Sequence, residues 1–290
     1  GGRGILDKIK AILFGMTGFG NNALEVLLNH PSVATIAVFT PERQAGFFPY
    51  YECEKLHDAV LRNGIALYEG LNFKGENTYD IIKKLSPAII IVSSFNQIIP
   101  KPIISIPRLG VVNIHPSLLP KYRGATPTVW ALLNGEEETG VTAHFIENEK
   151  IDCGRIIKQA KLSIEPSDND GTLRLKLARL SGVVLNEALN LLPNIDKKKL
   201  PIADESKSAY YPKRTLKDAE IDINKPFNDI INRIRAMTPY PGAFVKYNGT
   251  IYTVSSAELL KEKKSNKTFK PDNKHLVIET QEGLVKFYLS

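Results

Sequence analysis

The run Ala88-Ile89-Ile90-Ile91-Val92 has no polar side, and short apolar runs like it alternate with helix-patterned stretches through the first two thirds of the chain. A strand that is apolar on both faces must be covered on both, so this alternation predicts a mainly parallel sheet flanked by helices, an α/β architecture. Strands are expected at 11–14, 33–39, 65–68, 88–92 and 110–114, with helices at 22–29, 52–62 and 78–85 between the first four. A short helix at 127–133, strands at 140–145 and 155–162, and a long helix at 172–192 follow. In the long helix Leu173, Leu177, Leu180, Val184, Ala188 and Leu191 recur at helical spacing, which marks a core-facing stripe.

The stretch 193–214, with Lys197-Lys198-Lys199, Pro201 and Pro212, reads as a linker whose lysine triplet is solvated. Beyond it lie one helix, 226–237, and alternating strands at 243–247, 250–254, 275–280 and 283–288, with Asn248-Gly249 as a hairpin signal. The 290 residues are thus expected to divide into an α/β domain at 1–200 and a small β-rich (α+β) domain at 207–290. The first residues, 1–7, read as an extension or tag.

Composition removes several function classes. The longest apolar run falls short of the roughly 20 residues of a membrane helix, and the start lacks an export signal, so no membrane partner is expected. Cys53 and Cys153 are the only cysteines, which excludes a disulfide scaffold and a four-cysteine zinc site and suits a cytoplasmic setting. His30, His57, His144 and His275 show no metal-ligand spacing, so no metal is expected. The formal charge of +7 favours anionic ligands without choosing between nucleic acid and nucleotide phosphates.

The first strand–helix turn, Gly15-Met16-Thr17-Gly18-Phe19-Gly20, has GxxGxG spacing rather than GxGxxG, and Val38-Phe39-Thr40-Pro41 lacks a ribose-binding carboxylate. Close helix–sheet packing is therefore the better reading of Gly15 and Gly20 than a dinucleotide site.

The segment 111–125 carries more. Asn113 and His115 lie two apart at the carboxyl end of an expected parallel strand, so their side chains share a face where α/β sheets place ligands. Pro116 ends strand pairing, and Pro120 and Gly124 shape a loop. An imidazole that exchanges protons near neutral pH beside an amide that can hydrogen-bond an oxyanion suits acyl transfer. Asp152, between two expected strands, can orient His115 or raise its pKa. Neither Ser117 nor Cys53 has the surroundings of a nucleophile.

On these residues the chain resembles the formyltransferases that use 10-formyltetrahydrofolate. Asn113-Ile114-His115-Pro116-Ser117-Leu118-Leu119-Pro120 matches the family's core motif, and Gly140-Val141-Thr142 followed by Asp152-Cys153-Gly154 matches its second block. The resemblance implies a Rossmann-like formyltransferase domain, Asn113, His115 and Asp152 as the catalytic set, and 10-formyltetrahydrofolate as co-substrate. It also implies a folate site formed by Ser94, Phe95, Asn96, Gln97, Ile98 and Ile151.

Leu119-Pro120-Lys121-Tyr122-Arg123-Gly124 is similar to the sugar-nucleotide N-formyltransferases, and Arg123-Gly124-Ala125-Thr126-Pro127 to the methionyl-tRNA formyltransferases. Two departures favour the sugar branch. The chain closes at 283–290 without the longer, glutamine-containing segment of the tRNA enzymes, and 41–51 is aromatic rather than basic. Phe47, Phe48 and Tyr51 there suit stacking on a base or sugar, or capping of the sheet. Tyr122, Arg123, Tyr211, Lys213 and Arg214 are the expected acceptor-binding residues, the last two through charge-assisted bonds to a pyrophosphate. The implied partners are folate and a nucleotide-linked amino sugar of O-antigen or lipopolysaccharide biosynthesis, with a homodimer contact through the tail and no nucleic acid.

Overall fold

The computed structural model describes residues 7–44, 53–260 and 270–290. Residues 1–6 of the expected extension at 1–7, the aromatic residues Phe47, Phe48 and Tyr51, and the first residue of the expected helix at 52–62 lie outside them. In chain order the elements are β1 (Ile9–Gly15), α1 (Phe19–Asn29), β2 (Val33–Thr40), α2 (Leu56–Arg62), β3 (Ala66–Glu69), α3 (Glu76–Leu85), β4 (Ile89–Ser93), α4 (Lys101–Ile104) and β5 (Val111–His115). They continue with β6 (Arg123–Gly124), α5 (Pro127–Leu133), β7 (Glu138–Phe145), β8 (Ile156–Ser163), α6 (Asp170–Leu191) and β9 (Tyr210–Tyr211). The last are α7 (Phe227–Ala236), β10 (Ala243–Tyr247), β11 (Thr250–Leu259), β12 (His275–Thr280) and β13 (Gly283–Leu289).

By packing, these residues form two units that do not follow a single cut near residue 200. The first runs to Gly124 and adds Thr139–Leu162 and Leu175–Tyr210, whereas the second gathers Ala125–Glu138, Ser163–Arg174 and Tyr211–Ser290.

In the first unit a seven-stranded sheet has the order β3-β2-β1-β4-β5-β7-β8. The strands from β3 to β5 are parallel, and β4 is buried along its whole length, as an apolar run covered on both faces must be. Strand order reverses between β1 and β4, the crevice where an open α/β sheet receives ligands. The departure from the expected parallel pattern is β7, which runs antiparallel to β5 with Asn113 opposite His144 and His115 opposite Thr142. Ile12, Phe14, Phe39, Phe73, Ile82 and Ile90 form the core on one face, with Phe14 edge-on to Phe39 and Phe73 at 5.3 and 4.8 Å.

Gly15 and Gly20 let α1 close onto the sheet: a Cβ on Gly20 would stand 2.8 Å from Leu56, and one on Gly15 3.3 Å from the Gly20 Cα. The lysine triplet is not wholly solvated. Its first turn is capped by Asp196, which accepts from the Lys198 N–H at 3.1 Å, and the Lys197 ammonium sits 4.4 Å from the Phe145 ring centroid. Among the described residues no helix is long and apolar enough to cross a membrane.

The second unit holds a four-stranded antiparallel sheet, β10-β11-β13-β12. Asn248 (φ 48°) and Gly249 (φ 79°) form the turn joining β10 to β11, the pair of positive φ angles that a tight hairpin demands. Buried Asp170 gathers the earlier segments of this unit: it accepts from Thr128 Oγ1 at 2.8 Å, Arg174 at 2.9 Å and Arg214 at 3.3 Å.

Candidate active site

β5 delivers Asn113 and His115 to the carboxyl edge of the sheet on one face, and the loop after β7 brings Asp152 to both. Asn113 Nδ2 donates to Asp152 Oδ1 at 3.1 Å, and His115 Nδ1 lies 3.5 Å from the same oxygen. Asp152 holds a left-handed backbone (φ 54°), which costs a non-glycine residue about 1 kcal/mol. Three contacts fix it there. Gly124 N–H donates to Oδ2 at 2.9 Å, Arg123 Nε donates to the Ile151 carbonyl at 2.9 Å, and Gly154 packs so tightly that its Cβ would overlap the Phe145 carbonyl.

His144, opposite Asn113 on β7, completes the group. Its Nε2 accepts from Asn113 Nδ2 at 3.2 Å and lies 3.7 Å from Asp152, while Nδ1 meets the Phe145 carbonyl at 3.1 Å. The hydrogen bonds therefore assign the Nδ1–H tautomer to His144. Absence of metal-ligand spacing hid this residue in the sequence. The signal that finds it is the two-residue step from Thr142 to His144, which matches the step from Asn113 to His115.

Burial dominates the electrostatics of His115 and lowers its pKa; the Asp152 charge and the Tyr122 carbonyl pull it back only in part. Asp152 does raise the pKa, as expected, but burial outweighs it because the imidazole is almost wholly removed from water. For Asp152, burial acts to raise the pKa, but His115, then His144, and the Gly124 N–H hold the carboxyl well below its ordinary value. The amide nitrogen of Asn113 already donates to Asp152 and His144, so an oxyanion must displace one of these acceptors to gain its hydrogen bond.

Of the expected folate residues, Ser94 through Ile98 follow β4, beside β5. Ser94 has φ 52°, Phe95 packs at 4.8 Å on Phe73, and Gln97 is spent internally, accepting from the Phe73 N–H and donating to the Leu71 carbonyl. Asn96 is exposed. Ile98 and Ile151 keep 54% and 37% of their surface exposed, so they remain open to an apolar ligand face. Next to Ser94, Ser93 Oγ is buried without a hydrogen-bond partner. A buried hydroxyl left unpaired at the end of β4, at the switch point of the sheet, fits a ligand with polar edges.

The expected acceptor residues divide differently. Tyr122 is buried and its carbonyl meets His115 Nε2 at 2.8 Å; Arg123 is tied to Ile151, to Ser208 Oγ at 3.3 Å and to the Tyr210 ring. In the second unit Tyr211 stacks on Trp130 at 5.2 Å, and Arg214 is committed to Asp170 and the Tyr240 carbonyl. The pyrophosphate role expected of Arg214 gives way to this ion pair because a carboxylate buried at Asp170 needs compensating charge. Lys213 is exposed.

Known proteins share both the sequence pattern and the fold of this chain. The family described as Formyl transferase matches residues 28–189, and that described as Formyl transferase, C-terminal domain, matches 213–289. The chain is 38% identical over 242 residues to the methionyl-tRNA formyltransferase of Ehrlichia ruminantium (strain Gardel), covering 83% of this chain and 77% of that protein. In fold it is similar to the N-formyltransferase of Helicobacter canadensis solved with folinic acid and dTDP-3-aminofucose, with TM-score 0.71, 21% identity, and 97% and 100% of the two chains covered. A sugar 3-N-formyltransferase, WlaRD, solved with dTDP and 5-N-formyltetrahydrofolate, is similar at TM-score 0.70 and 21% identity, with 99% and 98% covered.

Proposed function

Because this chain belongs to the formyl transferase family and is a formyl-transferring enzyme, we propose that it moves the formyl group of 10-formyltetrahydrofolate onto the amine of a nucleotide-linked amino sugar. The observation that carries the site assignment is the convergence of Asn113 and His115 on one carboxylate oxygen of Asp152 at the carboxyl edge of the sheet. The folate co-substrate supplies the formyl carbon; Ser93, Ser94, Ile98 and Ile151 are the residues that would hold it. When an uncharged amine attacks that carbon, His115, lowered in pKa and hence neutral near pH 7, accepts the amine proton. Asp152 stays ionised and stabilises the imidazolium that results, while the Asn113 N–H turns from an internal acceptor to the developing oxyanion. Collapse of the oxyanion breaks the bond from the formyl carbon to N10 of the folate, the imidazolium returns its proton to that nitrogen, and the formamide and tetrahydrofolate leave.

Support for the sugar acceptor is the composition of 41–51, where aromatic residues stand in place of a basic insertion, together with the exposed Lys213. A second reading, methionyl-tRNA as acceptor, is favoured by the names of the relatives and by the basic run Lys261, Lys263, Lys264, Lys267 and Lys270. With 10-formyltetrahydrofolate as donor, dTDP-, UDP- and GDP-linked amino sugars are assayed beside initiator methionyl-tRNA. Formylation of a sugar nucleotide is the expected result; formylation of the tRNA alone overturns the sugar acceptor.

A further inference from the structure

We propose that Gln159 and Thr142, neither in contact with the reacting atoms, are positioning residues that hold His115 in a single tautomer. The inference rests on His115 belonging to the formyl-transfer site.

Every hydrogen-bonding position of the Thr142 hydroxyl is filled. Thr142 Oγ1 donates to the Ser117 carbonyl at 2.7 Å and accepts from the Leu119 N–H at 3.1 Å and from Gln159 Nε2 at 2.8 Å. One donor and two acceptor sites are all that a hydroxyl offers, so Thr142 is saturated. Gln159 Nε2 spends its second hydrogen on the Leu119 carbonyl at 2.9 Å, which fixes both backbone groups of Leu119. Ser117 Oγ then donates to the Lys121 carbonyl at 2.8 Å. The loop from Ser117 to Lys121 is therefore clamped to β7 and β8, and next along it stands Tyr122, left-handed at φ 57°, with its carbonyl 2.8 Å from His115 Nε2.

A carbonyl only accepts, so that contact puts the hydrogen of a neutral His115 on Nε2 and leaves the lone pair on Nδ1. Nδ1 faces Asp152 at 3.5 Å. A carboxylate beside Nδ1 ordinarily draws the hydrogen to that nitrogen, as in the hydrolase triad. Two acceptors thus compete for one hydrogen, and the clamp decides the contest by holding the Tyr122 carbonyl at the shorter distance. Nδ1 is then the nitrogen that gains a proton, with Asp152 beside it and His144 near as the other titratable groups.

The test uses the full-length protein and reads the imidazole nitrogens of His115 by 15N–1H correlation, alongside kcat and the pH profile of kcat/KM for formyl transfer. In the wild type, Nε2–H with a bare Nδ1 is expected above the histidine pKa. Thr142→Val and Gln159→Leu are expected to populate Nδ1–H, lower kcat about 10-fold with KM nearly unchanged, and move the acid limb to lower pH, because the Tyr122 hydrogen bond that raises the pKa is weakened. Thr142→Ser, which keeps the hydroxyl, restores all three. An Nδ1–H signal in the wild type overturns the proposal even if a variant fails to fold. Folded variants with the wild-type tautomer and acid limb overturn it as well. An intact tautomer lock in a protein whose turnover survives His115→Asn would instead remove His115 from the reaction and leave the clamp standing.

Discussion

Replacing Asp152 by asparagine removes one negative charge and leaves the packing of the site almost unchanged. Since the carboxylate raises the His115 pKa against the effect of burial, Asp152→Asn is expected to shift the acid limb of kcat/KM further below 6.5, the ordinary histidine value. Turnover should fall about 100-fold for want of a partner to the imidazolium. Stability changes with a definite sign. A depressed carboxyl pKa adds stability that is full above the unfolded value of 3.8 and is lost as pH falls through the folded one. Denaturant midpoints of wild type and Asp152→Asn should therefore differ most near pH 7 and converge under strongly acid conditions. His115 contributes in its own window: between its lowered pKa and 6.5 the unfolded chain takes a proton that the fold refuses, so stability drops as pH falls there. In the second unit, Arg214→Met strands part of the charge of Asp170, whose side chain is fully buried. A cost of about 3 kcal/mol in thermal or chemical unfolding is expected. Weaker acceptor binding without loss of stability would return Arg214 to the pyrophosphate.

Elements set these residues in place, and the loop between β7 and β8 is the least forgiving of them. A methyl group on Gly154 would come within 1.5 Å of the Phe145 carbonyl, so Gly154→Ala must displace the loop that carries Asp152. Activity should fall about 100-fold or more even if folding survives, a result checked by turnover together with a thermal melt. Much at this scale was legible in the sequence. Continuous apolar runs marked the parallel strands, Asn248-Gly249 marked its hairpin, and the step from Asn113 to His115 marked the strand end that matters. Strand direction was not legible, because periodicity is the same whichever way a strand runs. The antiparallel β7, and with it the pairing of His144 to Asn113, follow from tertiary connection alone. The four-residue α4 is too short to show a period. Phe95, Gln97 and Arg214 look in sequence like ligand groups; each is spent on a neighbour far along the chain that no local pattern names.

For the molecule as a whole, length and composition foretold two bodies but not their interleaving. Residues 125–138 and 163–174 pack with the tail rather than with the strands that flank them in sequence. Several bonds tie these stretches to the tail: Arg235 donates to the carbonyls of Asp168 and Glu165 at 2.7 and 2.9 Å, and Gly171 N–H to that of Thr238 at 3.1 Å. A chain cut after Leu200 should therefore not behave as a self-sufficient first domain. Val129 and Leu132 of α5, buried in the full chain, would lose partners, so the fragment is expected to bind a hydrophobic dye and aggregate; a stable, dye-silent monomer would contradict this. The same interleaving imposes a timetable on synthesis. Everything the first unit needs has been made once Tyr210 is added, whereas α5 leaves the ribosome early and meets α7, its main packing partner, only when Phe227–Ala236 have been translated. At about 5–20 residues per second, the roughly 100 residues made between α5 and the end of α7 keep that helix waiting for about 5–20 seconds, an interval in which a nascent-chain chaperone has something apolar to hold.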